Sequence, residues 1–137
     1  MELKPFKVKA DLFWAFFDKP NPMSDKGDYT VDLCNLSEQA VKKIEEIGGE
    51  VKSNPEKPDQ GRFITIKSRY AIKPTDDNGD VIDAQVGNGS KAVVLVSPYH
   101  WVWKGKNGIR FSPKAMTITH LVEYNKGSVV SDDDDVL

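Results

Sequence analysis

Cysteine is all but missing from this chain, with Cys34 the single thiol in 137 residues. One thiol excludes an intrachain disulfide and a cysteine-based zinc cage, and its place in an apolar run points to quiet burial. Histidine is nearly as scarce: His100 and His120 stand alone, and no His-x-x-x-His or Glu-x-x-His unit exists to hold a metal. The Gly-x-x-x-x-Gly-Lys-Ser/Thr phosphate loop and the Gly-x-Ser-x-Gly nucleophile elbow are missing too. No long uncharged apolar window occurs, and the opening MELKPFKVKAD lacks an apolar signal core. Neither a membrane span nor a secretion signal is therefore expected. These absences leave the expectation of an intracellular protein without catalytic machinery, metal or cofactor.

What is present is charge, at 29% of residues, beside an apolar share of 39%. That balance, at this length, suits one folded domain rather than two. The formal net charge of -2 looks wrong for a polyanion binder until its distribution is read. Asp132, Asp133, Asp134 and Asp135 form one block, so residues 1–131 carry 19 basic groups against 17 acidic ones. Between Gln60 and Gly127, ten basic residues outnumber five acidic ones. Local charge, not the total, is what attracts a polyanion.

Residues 4–17 alternate through Phe6, Val8, Ala10 and Leu12 and then thicken into Phe13-Trp14-Ala15-Phe16-Phe17. The first part reads as a half-buried strand, and the aromatic run as a place where both faces are covered or a bulge re-aims the chain. Trp14, Phe16 and Phe17 are read as core rather than as ligand-facing. DKPNPMSDKGD follows as an exposed loop. Tyr29 to Cys34 resumes alternation, and residues 35–49 read as a helix. Ser37 is its N-cap, Ala40, Val41, Ile44 and Ile47 its apolar stripe, and Gly48-Gly49 its stop. Residues 51–60 read as a mobile surface connection.

The second half carries the candidate site. Arg62 to Ile72 reads as a long strand with Ile64, Ile66, Ser68, Tyr70 and Ile72 inward, so Phe63, Lys67 and Arg69 share the opposite face. Asp76 to Asp80 could suggest calcium, but Gly87 stands where a twelfth-position Glu would be needed, so a solvated Asn-Gly turn is expected. A short strand over 81–86 and a Gly-Asn-Gly turn lead to Lys91 and the apolar run of the main strand. Past Pro98, Tyr99, Trp101 and Trp103 fall on one face, followed by a Lys-Gly-Lys-Asn-Gly turn bearing Lys104 and Lys106. Rings beside cations suit a surface on which unpaired bases stack while Lys and Arg hold phosphates. The competing reading places the rings in the core of a small barrel. Arg62, Phe63, Lys67, Arg69, Lys91, Tyr99, Trp101, Trp103, Lys104 and Lys106 are accordingly the candidate nucleic-acid contacts.

Five or more short strands, one helix, many turn glycines and no crossover pattern describe an all-β antiparallel barrel of the oligonucleotide-binding kind. Residues 1–127 would form it. Residues 128–137 would be a disordered acidic tail, with Asp132, Asp133, Asp134, Asp135, Val136 and Leu137 offered to a basic partner. A barrel fold does not give function by itself. The same stacking chemistry serves RNA, and an aromatic strand can also be a protein interface.

The segments KVKADLFWAFFDKPNPM, YTVDLCNLSEQAV, GRFITIKSRY, GNGSKAVVLVSPYHWVWKGKNG and DDDDVL together resemble the single-stranded DNA-binding proteins of tailed bacteriophages. In layout the chain is similar to the helix-destabilising protein of T7-like phages. That resemblance implies coating of single-stranded DNA in the host cytoplasm during replication, recombination and repair. It implies Lys67, Arg69, Tyr99, Trp101 and Trp103 as the binding wall, and docking of the acidic tail on replication proteins such as DNA polymerase or helicase-primase. A second copy of the chain is a further candidate partner. The chain departs from the T7-like pattern at its end, where Leu137 stands in place of an aromatic residue.

Overall fold

A computed structural model of the chain describes residues 3–22, 27–56, 58–82 and 85–122. The tail residues Asp132 to Leu137, and the expected boundary at residue 127, lie outside the described residues. Within them run β1 (Phe6–Phe13), β2 (Tyr29–Cys34), α1 (Glu38–Glu46), β3 (Lys52–Ser53), β4 (Arg62–Ser68), β5 (Ser90–Trp103) and β6 (Lys106–His120). No helix among them is long and apolar enough to cross a membrane.

Every strand pair is antiparallel, and the hydrogen-bonded order is β3-β4-β2-β1-β5-β6. The sheet curls until β6 lies beside β4. The segment after β4 helps to close it: Thr75 bridges Thr117 in parallel, its N–H donating to the Met116 carbonyl and its carbonyl accepting from Ile118. This is the antiparallel oligonucleotide-binding barrel expected from the sequence.

Alternation explains the interior. Val8, Ala10 and Leu12 of β1, Val31 and Leu33 of β2, Ile64 and Ile66 of β4, Ala92, Val94 and Val96 of β5, and Met116 and Ile118 of β6 are buried together. Each such aliphatic side chain contributes about 1.5–3 kcal/mol. Ser37 caps α1 as expected, its Oγ accepting from the Ala40 N–H at 3.1 Å, and Val41 and Ile44 turn inward. The helix end is pressed against β6, where Phe111 meets Phe6 edge-on at 6.1 Å.

Three expectations change. Residues 51–60 are not a loose connection: Lys52 and Ser53 pair with Phe63 and Arg62, and Gln60 is buried with its amide on Asp32 Oδ2 and Cys34 Sγ. The strand over 62–72 stops at Ser68, because the Ser68 hydroxyl accepts from the Tyr70 N–H and turns the chain. Tyr70 is therefore 79% exposed rather than inward, while Ile72 returns to the core. Val81 makes only an isolated bridge with Thr75. Between those two residues the Asp76 carboxylate accepts from the Asn78 and Asp80 N–H groups, giving the Asn-Gly turn that was expected.

Cys34 is buried as the sequence implied. Burial first, then the charges of Asp32 and Asp11, push its thiol up from the ordinary 9.0 to about 12, against an opposing hydrogen bond from Gln60. The native thiol should therefore react with iodoacetamide at pH 8 at least about 100-fold more slowly than the unfolded chain. Because the unfolded thiol ionises first, its contribution to stability should decline as pH rises from 9.0 toward about 12. Comparing alkaline unfolding of the native chain with Cys34→Ala isolates that contribution.

Candidate nucleic-acid interface

β1 covers β5 only from Ser90 to Val96; past that point β6 is the sole strand partner of β5 among the described residues. The pairing runs on to Trp103 and Lys106, and Lys104–Gly105 alone make the turn. Their φ angles of 47° and 79° are those of the tight primed turn whose twist matches a hairpin. Glycine adopts that region freely, whereas Lys104 bears some strain. The broader turn expected over residues 104–108 is thus shortened, and Lys106, Asn107 and Gly108 belong to β6.

The alternation of β5 carries unbroken from the barrel into this hairpin. Ala92, Val94, Val96 and Pro98 face the core, so Tyr99, Trp101 and Trp103 take the outer side. Directly opposite partners share a face: Arg110 opposes Tyr99, Gly108 opposes Trp101, and Lys106 opposes Trp103. The Arg110 guanidinium lies 4.5 Å from the Trp101 ring centroid, and Lys104 Nζ lies 5.5 Å from that of Trp103. Both fall within the roughly 6 Å reach of cation–π attraction. Tyr99 is 40% exposed and Trp103 65%, so neither ring is core. Trp101 is half-buried because it lies close over Gly108, where an added Cβ would come within 2.9 Å of its Nε1.

The other candidates form a second group. Phe63 and Lys67 point outward from β4, on the side opposite buried Ile64 and Ile66, and Arg62 is exposed. Arg69 is exposed too, but it stands past the end of the strand, so the expected common face ends at Lys67. In hydrogen-bonded order β2 and β1 separate β4 from β5. On the closing side of the barrel, however, β4 lies beside β6, the other strand of the hairpin. Lys91 lies apart from both groups and is engaged with the Asp11 carboxylate at 3.1 Å, which also accepts from Asn35.

Sequence reasoning missed two residues. Arg110 received no role because only its register against Tyr99 and its approach to Trp101 reveal one. Trp14 was read as core within the crowded run 13–17, yet it is 46% exposed. β1 ends at Phe13, and Trp14 takes a left-handed conformation with φ of 55° that reverses the side on which its ring falls. Phe17 is buried as expected, and Phe16 is half-buried. An aromatic run too long to point all one way was the available sign.

No family model matches this chain, and no curated protein matches it by sequence. Among solved structures it is similar to gp2.5, a single-stranded DNA-binding protein encoded by bacteriophage T7. The identity is 17%, with 99% of this chain and 96% of that one covered at a TM-score of 0.62. It is also similar to the single-stranded DNA-binding protein of bacteriophage Enc34 in complex with single-stranded DNA, at 14% identity, 85% and 86% coverage and a TM-score of 0.62. A C-terminal truncation of the Enc34 protein matches at 13% identity, with 87% of each chain covered and a TM-score of 0.63. The chain thus has the fold of these phage single-stranded DNA-binding proteins over most of its length.

Gly108→Ala tests how Trp101 is seated. The new methyl should lift the indole off β6, red-shifting tryptophan emission while lowering the melting temperature by less than about 4 °C. Unchanged emission would mean that the ring does not depend on the missing side chain.

Proposed function

We propose that this chain binds single-stranded DNA without regard to sequence and protects it during phage DNA replication and recombination. The observation that carries the proposal is the projecting β5–β6 hairpin, on which exposed Tyr99 and Trp103 and half-buried Trp101 stand in register with Arg110 and Lys106, with Lys104 of the turn beside Trp103. In a duplex the base faces are already stacked on each other, whereas a single strand can turn them onto these rings at about 1–3 kcal/mol per base. Every base has such a face, so stacking is indifferent to sequence. The cations supply a phosphate attraction that weakens with salt. The fold shared with phage proteins described as single-stranded DNA-binding, one of them in complex with single-stranded DNA, supports the same reading.

The segment Asp132 to Leu137 is proposed as the docking site for replication proteins and as an electrostatic competitor of DNA for the basic surfaces. Four consecutive aspartates resemble a short stretch of phosphates in charge, and a bound strand would displace them for a partner.

Titration of fluorescent oligo(dT) and oligo(rU) across a salt series tests the reading, with binding of oligo(dT) expected below about 10 μM at low salt. Absence of binding would remove the proposal, and stronger binding of oligo(rU) would turn it toward RNA. Trp103→Ala should weaken oligo(dT) binding about tenfold and move the melting temperature by no more than about 2 °C, since the ring is largely exposed. A large loss of stability would make Trp103 structural instead. Removal of residues 132–137 should tighten DNA binding, most at low salt; equal affinity across the series would show that the tail does not compete.

A further inference from the structure

Beyond Val96 one edge of β5 has no strand beside it among the described residues. In an antiparallel ladder, pairs that exchange both backbone bonds alternate with pairs that exchange none. Trp103 and Lys106 flank the two-residue turn and form the closing bonded pair, so Trp103, Trp101 and Tyr99 aim their peptide groups at β6. The N–H and C=O groups of His100 and Val102 therefore point to the open edge. Proteins usually blunt such an edge with proline or lysine, and here these residues stand only at its ends. Pro98 lies at the base and Lys104 at the tip, with His100 and Val102 unguarded between them. Their side chains leave the gap open. Val102 is 67% exposed, His100 leans toward β6 with Nε2 3.4 Å from Asn107 Oδ1, and Trp101 lies over Gly108 of β6.

The edge is complementary to itself. A two-fold axis through Trp101 sets His100 opposite Val102 of a second copy and Val102 opposite its His100, so every outward N–H meets a carbonyl. Slipping the register by one bonded pair loses bonds in either direction. One slip needs an N–H from Pro98, and the other needs an extended Lys104, which the turn holds at a φ of 47°. In the favoured register the turn of the second copy lies level with Ser97 and Pro98, just clear of Phe6, which pairs with Val96. Directly opposite residues share a face, so Tyr99, Trp101 and Trp103 of both copies form one continuous ring surface.

Charge decides when such a pair forms. From Ser97 to Ala115 the chain carries Lys104, Lys106, Arg110 and Lys114 and no acidic residue, so two free hairpins repel each other. A polyanion lying over the joined rings removes that repulsion. We infer that two copies of this chain on one DNA strand join edge to edge through His100 and Val102, extending the two hairpins into a single sheet. The inference rests on the single-stranded DNA reading above and makes a second copy the partner of the open edge.

Mixing a His100→Cys chain with a Val102→Cys chain tests the register, because facing bonded positions lie about 5.5 Å apart at Cα, within disulfide reach. Cys34 is buried and does not compete. Under mild oxidation on an oligo(dT) of about 32 nucleotides, which has room for two copies, the mixture should cross-link at least about tenfold faster than either variant alone. An oligo(dT) of about 6 nucleotides holds one copy and should bring no such gain. Val102→Pro removes an outward N–H without breaking a bond to β6. It should keep the affinity for the short oligo and bind the long one at least about tenfold more weakly than the unmodified chain. Cross-linking of the mixture no faster than that of either variant, or unchanged affinity of Val102→Pro for the long oligo, would overturn the pairing and leave the edge to a strand of another protein. If the unmodified chain binds neither oligo, the DNA reading falls, and cross-linking of the mixture at about 1 M salt, where the repulsion is screened, still decides the edge.

Discussion

The pairing of β5 with β6 outruns the barrel to which both strands belong. Within the barrel β5 has β1 on its other side, and its inward residues Ala92, Val94 and Val96 are sealed. Beyond Val96 the same two strands continue, and among the described residues no third strand pairs with β5 there. One uninterrupted period of two therefore serves two ends. Near the barrel it fills a core, and farther out it lines up Tyr99, Trp101 and Trp103 on one side. The rings keep their places because the barrel holds the base of the hairpin and the tight Lys104–Gly105 turn holds its tip.

An aromatic surface built this way needs no deep pocket. Trp101 rests on the bare backbone at Gly108, and Arg110 reaches across the pair to its ring. The cation and the ring are brought together by register rather than by a loop, so little conformational freedom is left to them. A separate device holds Trp14. There a left-handed backbone is held by a part-buried chain of hydrogen bonds from Gln60 to Asp32 to Thr65, which joins the end of β1 to β4 across β2. Strand register thus positions the hairpin rings, and a polar network positions Trp14.

The same network accounts for the quiet cysteine. Cys34 packs behind Gln60, which donates to its sulfur at 3.3 Å, and with Asp32 nearby the thiolate would be both desolvated and repelled. A group that the composition singled out as chemically notable is thereby a structural support.

Periodicity in the chain was enough to determine most of the elements and the outer aromatic row. Val8, Ala10, Leu12, Ile64, Ile66, Val94 and Val96 announce half-buried strands, Ser37 and Gly48 bracket a helix, and Tyr99, Trp101 and Trp103 declare a common face two residues apart. These are local properties, set by backbone geometry within a few residues. Tertiary structure alone decided which strands become neighbours. It brought Arg110 over Trp101, tied Lys91 to Asp11 and turned Trp14 out of the core. The reason is physical: alternation assigns a side of a strand but not what lies across from it, and it assigns no side once a left-handed residue ends the strand, as at Trp14.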